Sequence, residues 1–143
     1  MKSINLFLLA LIVLTSLYSC EDVLNDLTTA EIAQKLEGNW ECNETSSLYK
    51  STEDIYYVYI SPSNADTNRI DISNFYGLGS GVDATATISD YSISIPTQTL
   101  EGGFEIKGSG TIASNLKTIS LKYYVDDGSG EVDEVEALYT YKY

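Results

Sequence analysis

From Gly38 to the C-terminus the sequence alternates apolar and polar residues with a period of two, in short runs separated by turn residues. Side chains that repeat every second residue mark β-strands with one face buried and one wet. The expected strands are Trp40–Ser46, Ile55–Ser61, Arg69–Phe75, Val82–Ser89, Tyr91–Thr97, Gly103–Ala113, Thr118–Val125 and Val132–Tyr143. Ile70 and Ile72 oppose Asp71 and Ser73. Val82, Ala84, Ala86 and Ile88 oppose Asp83, Thr85, Thr87 and Ser89. Ile119, Leu121, Tyr123 and Val125 oppose Thr118, Ser120, Lys122 and Tyr124.

The connections carry turn chemistry. Asp127-Gly128-Ser129-Gly130 reads as a tight hairpin, Ser89-Asp90 as a short one and Ser61-Pro62-Ser63-Asn64 as a looser loop. Gly77, Gly79 and Gly81 form a flexible link, and Gly108 with Gly110 on one strand face marks a bend or bulge at a barrel corner. Ahead of the strands, Thr28 and Glu31 are spaced as a helix capping box. Ile32, Ala33 and Leu36 share a helical face, and Gly38 is placed to end the helix in a left-handed conformation. The expected fold is all-β: one short α-helix, then about eight antiparallel strands in a closed up-and-down barrel, which has no exposed edge. A two-sheet β-sandwich accounts for the same alternation.

The first residues read as an export signal. Lys2 precedes an unbroken apolar run, Leu6 to Leu14, followed by small or polar residues up to Ser19 and Cys20. The run is shorter than the roughly 20 apolar residues that cross a bilayer. Leu17-Tyr18-Ser19-Cys20 resembles a bacterial lipobox, with an aliphatic residue at −3, a small one at −1 and then the cysteine. That resemblance implies cleavage before Cys20 and lipid on its sulfur, usually followed by acylation of the new amino group. Multiple acyl chains give stable anchoring, at about 0.8 kcal/mol per buried CH₂. The domain boundaries expected are a signal peptide over 1–19, a tether over 20–30 and the barrel over 31–143.

The chain has two cysteines. If Cys20 carries lipid, Cys42 is a lone thiol, read as a small buried hydrophobe. A Cys20–Cys42 disulfide is the rival. Glu21 and Asp22 directly after the anchor resemble the surface-export pattern of Bacteroidota lipoproteins, which implies the outer membrane and its outward face. The periplasmic face is the alternative.

Gly38-Asn39-Trp40 after a short helix resembles the glycine–any–tryptophan opening of lipocalins and related calycin barrels. The stretches "NFYGLGSGVDATAT", "ISIPTQTL" and "GSGTIASNLKTISLKYYV" are similar to lipocalin-like small lipoproteins of Bacteroidota. The resemblance implies that Trp40 packs across the closed end of the barrel. The lipocalin Thr-Asp-Tyr motif is absent, and Lys142 stands where an arginine would stack on the tryptophan.

The chain has no histidine. This removes Ser-His-Asp and Cys-His nucleophile systems and the easiest general base near neutral pH. No zinc site can be built from one remaining thiol, and the glycine-rich link lacks a phosphate loop's Lys-Ser/Thr ending. No catalytic residue, metal ligand or cofactor is therefore assigned. A formal net charge of −13 repels nucleic acid. Asp126 to Glu134 gathers five acids around a glycine hairpin, read as solvated, with calcium as the alternative. Tyr56, Tyr57 and Tyr59 on one strand and Tyr139, Tyr141 and Tyr143 on the last read as core or cross-strand packing. A glycan or apolar-ligand platform is the sharper alternative. The expected function is non-catalytic binding of a small molecule or glycan by a lipid-anchored cell-envelope protein. The alternative is a protein-interaction module, an accessory subunit or enzyme inhibitor, with a filled barrel.

Overall fold

The computed structural model describes residues 27–48 and 54–143. The expected signal over 1–19, Cys20, Glu21 and Asp22 lie outside the described residues. Helix α1 (Thr29–Lys35) starts at the expected capping box: the Thr28 amide donates to Glu31 Oε2 at 2.8 Å, and the Glu31 amide donates to Thr28 Oγ1 at 3.3 Å. The helix ends at Leu36 in a right-handed conformation. Gly38 does take a positive φ of 137°, but as the first residue of a strand, not as a left-handed helix stop. Its missing side chain leaves room for Tyr141, whose ring would lie 3.1 Å from a Cβ there.

The strands are β1 (Gly38–Ser46), β2 (Asp54–Pro62), β3 (Arg69–Ser73), β4 (Asp83–Ser89), β5 (Ser92–Thr99), β6 (Glu105–Ile112), β7 (Thr118–Asp126) and β8 (Val132–Lys142). Each pairs antiparallel with the next, and β8 returns to β1 from Asn39↔Lys142 through Ser46↔Val135, which closes the barrel. That last ladder excludes the sandwich. β3 stops short of the expected Phe75 because Asn74 turns left-handed, at φ 61°, and Phe75–Gly77 forms a 3-10 turn. β6 starts after the expected Gly103 because Gly102 and Gly103 both hold positive φ in the turn before it.

The extra residue that bends the wall sits in β5, not at the β6 glycines: Ile95 pairs with Gly108 but Gln98 pairs with Ile106. Gly108 and Gly110 serve close approach. A Cβ on Gly110 would meet the Ser120 carbonyl at 2.3 Å, and one on Gly108 the Lys122 carbonyl at 2.6 Å.

Up-and-down pairing sends the loops alternately to two ends. The α1 end collects the β2–β3, β4–β5 and β6–β7 connections and the C-terminus. Ile32, Ala33 and Leu36 are fully buried there, and the Asp90 amide donates to Thr29 Oγ1 at 3.2 Å, so the helix plugs the barrel. The other end, formed by the β1–β2, β3–β4, β5–β6 and β7–β8 connections, is the mouth.

Candidate functional site

Strand parity places Trp40, Cys42, Glu44 and Ser46 along the inside of β1, from the plug to the mouth. At the plugged end the Trp40 indole N–H donates to the Leu36 carbonyl at 2.9 Å, and Tyr141 meets its ring edge-on at 5.2 Å. Lys142 does not take the stacking arginine's place. It pairs outward with Glu41 at 3.0 Å, while the Lys117 ammonium sits 4.2 Å from the Tyr141 ring centre and 4.5 Å from that of Tyr143.

One layer higher lies a buried polar cluster. Cys42 pairs across the wall with Tyr56 on one side and Tyr139 on the other. Glu44, only 6% exposed, accepts hydrogen bonds at Oε1 from the hydroxyls of Tyr56 and Tyr123. The Tyr139 hydroxyl is buried and has no hydrogen-bond partner among the described residues. Burial, more than any neighbour, pushes the Tyr56, Tyr123 and Tyr139 hydroxyls and the Cys42 thiol well above their ordinary pKa. These groups stay neutral at ordinary pH.

Above that cluster is Asp133, 2% exposed. The hairpin read as solvated turns this acid inward, because Asp133 shares the inner face of β8 with Val135, Ala137 and Tyr139. Ser46 Oγ donates to it at 2.7 Å, the Ser47 amide and hydroxyl at 3.0 Å, the Leu48 amide at 3.1 Å and the Tyr76 hydroxyl at 2.8 Å. Burial opposes ionisation, but these hydrogen bonds outweigh it and hold the Asp133 carboxyl below its usual range. Of the other hairpin acids, Asp126 and Glu134 face outward, and Asp127 and Glu131 stand at the rim of the barrel. Asp126 and Asp127 cap the turn, accepting from the Gly128 and Ser129 amides at 2.8 and 2.9 Å, and Glu134 pairs with Lys122 at 2.5 Å. Among the described residues no three metal-ligating side chains converge.

The mouth holds a cavity of about 230 Å³. Leu48, Leu78, Phe104 and Val125 give it apolar walls, with the Tyr76 ring beside them, and Asp127, Glu131 and Asp133 give it acid. Tyr76 has a left-handed backbone, at φ 55°, uncommon for an aromatic residue. The turn is fastened by Asn74, whose Oδ1 accepts from the Gly79 amide and whose Nδ2 donates to the Tyr57 carbonyl, both at 2.7 Å. Tyr76 stands edge-on at 6.3 Å to Tyr123, whose hydroxyl donates to Glu44.

The tyrosines expected together are divided by the wall. Tyr56 and Tyr139 belong to the interior. Tyr57 and Tyr59 lie outside, with hydroxyls 3.3 Å from Glu41 and 3.4 Å from Glu37. Tyr143 is fully exposed, edge-on to Tyr141 at 5.4 Å. Glu44, Tyr76 and the inward turn of Asp133 escape a reading of composition, although the parity of β1 and β8 carries two of them. No family model matches the chain, and no curated protein matches it.

Proposed function

We propose that this chain is a non-catalytic, lipid-anchored cell-envelope protein, held to the outer membrane through lipid on Cys20, that binds a small molecule or one unit of a glycan at the barrel mouth. Leu17-Tyr18-Ser19-Cys20 and the apolar run before it support the anchor, and Glu21-Asp22 support the outward face over the periplasmic one. The absence of histidine supports binding over catalysis. Helix α1 precedes β1 and covers the plugged end.

The observation that carries the binding reading is the mouth cavity. At about 230 Å³ it is smaller than the range of roughly 300–1,000 Å³ usual for ligand pockets. The barrel below is filled by its own side chains, from Trp40 through Tyr123 and Tyr139. The ligand is therefore small and held near the rim. Native mass spectrometry of protein released from its own host's membranes tests this: a retained small adduct is expected, lost when Phe104→Ala opens the cavity wall. Protein with no adduct, and Cys20→Ala protein still sedimenting with membranes, would sink the reading.

A protein-interaction role has its own support on the outer wall. Ile55, Tyr57 and Leu138 are exposed there, and Leu138 borders a groove of about 560 Å³ across β6, β7, β8 and β1. Leu138→Lys abolishes co-purification of a partner if this role holds, and leaves the mouth adduct untouched.

A further inference from the structure

The acid that lines the cavity gives its ligand a charge. Asp133 is a carboxylate buried among neutral donors: two serine hydroxyls, two amides and a phenol. The ion pairs among the described residues are Arg69–Asp71, Lys122–Glu134 and Lys142–Glu41, and none of them includes Asp133. A buried charge stabilised only by dipoles attracts a counter-charge to the nearest open volume, and that volume is the mouth cavity. Asp127 and Glu131 stand on the same lining.

Among the described residues the connections at the mouth carry Asp83, Glu101, Glu105, Asp126, Asp127 and Glu131, with Lys107 two residues into β6. An excess of one sign beside low-dielectric walls concentrates ions of the other sign.

We infer that the mouth cavity binds an ammonium group on an apolar stem, with the charge turned toward the acidic part of the lining, where Asp133, Glu131 and Asp127 stand, and the stem against Phe104, Leu78 and Val125. This rests on the mouth being the binding site and names the class of ligand. Carboxylates on one part of the lining suit a cation better than a neutral molecule of equal shape, and the apolar walls take its stem. The same chemistry is carried by a free amine and by a lysine side chain.

The test is calorimetric titration of the folded mature domain with phenylethylammonium, phenylethanol, phenylacetate and Nα-acetyl-lysine amide at low salt. The ammonium compounds bind at least about tenfold more tightly than phenylethanol, and phenylacetate does not bind. The tighter of the two ammonium compounds assigns the source, free amine or lysine side chain. Glu131→Gln, an exposed position, weakens the ammonium about threefold or more and leaves any phenylethanol binding unchanged. Asp133→Asn weakens it further, and its thermal melt shows whether it is folded when titrated. Equal affinity for phenylethanol and phenylethylammonium, or preference for phenylacetate, overturns the cationic assignment and leaves the mouth as a binding site. Failure of all four probes to bind up to about 10 mM overturns both.

Discussion

The Gln98 side-chain amide pairs with the backbone of Thr85 at both of its polar ends: Oε1 accepts from the Thr85 amide at 2.8 Å, and Nε2 donates to the Thr85 carbonyl at 2.8 Å. The β4–β5 ladder runs only from Thr87↔Ser94 to Ser89↔Ser92. Beyond it the β5 bulge and Pro96 carry the two strands apart, and Gln98 supplies the donor and acceptor that a strand would have supplied. Gln98→Leu keeps the volume and removes both bonds, together with the 3.2 Å bond from Nε2 to the Pro96 carbonyl. It is expected to destabilise the barrel by about 1–3 kcal/mol, because two partly buried backbone groups lose their partners. Urea unfolding followed by circular dichroism measures it, and an unchanged midpoint would show the seam to be closed by other contacts.

The buried tyrosines separate into one that is bonded and one that is not. Tyr123→Phe removes a hydrogen bond that Glu44 accepts, and is expected to cost about 1–3 kcal/mol. Tyr139→Phe removes a buried hydroxyl with no partner among the described residues, so it is expected to be neutral or to stabilise by about 1 kcal/mol. The same urea titration ranks the two. Equal losses would mean that the Tyr139 hydroxyl is satisfied after all, by the Cys42 sulfur paired with it across the ladder or by an internal water.

Much of this architecture is written in the period of the side chains. The inner faces of β4 and β7 follow Ala84, Ala86, Ile88 and Ile119, Leu121, Tyr123, Val125 as the alternation dictates. Closure is not written there, since the pairing of β8 with β1 depends on the twist and stagger that all strands accumulate. The glycines at 108 and 110 show the same limit. Their shared face is visible in sequence, but whether it marks a bulge or a close approach depends on β7, whose Ser120 and Lys122 carbonyls occupy the space. In the site, period two on β1 and β8 does place Glu44 and Asp133 inside, against the habit of reading acids as solvated. Tyr76 carries no such signal. It reaches the mouth through a left-handed turn that no periodicity describes.

Asp133 ties acid stability to the mouth. Its folded pKa is lowered, so its contribution to stability is fully present above the unfolded value of about 3.9 and is lost as pH falls through the folded pKa. Glu31, Asp127 and Glu134 are lowered too and act with the same sign. The informative quantity is therefore the difference between wild type and Asp133→Asn. The variant is expected to melt lower at pH 7, with the gap narrowing once pH drops below about 4. A gap that stays constant down to about pH 2 would show that the loss comes from packing, not from the charge.

The fate of Cys42 distinguishes a lipid on Cys20 from a disulfide. Cys42 is fully buried on the inner wall between Tyr56 and Tyr139, and burial raises its thiol well above the ordinary range. Both access and ionisation therefore oppose its reaction. In protein purified from its own host's membranes, a thiol reagent is expected to modify Cys42 at least about a hundredfold more slowly in the native state than in denaturant. On unfolding without reductant, Cys42 should titrate at once if the proposed anchor holds, because a Cys20 thioether could not hold it as a disulfide. Mass spectrometry of the N-terminal peptide then finds the lipid on Cys20. A thiol that appears only after reduction, together with an unlipidated Cys20, would replace the anchor with a Cys20–Cys42 bridge. The barrel would then have to open its β1 wall for that bridge to form.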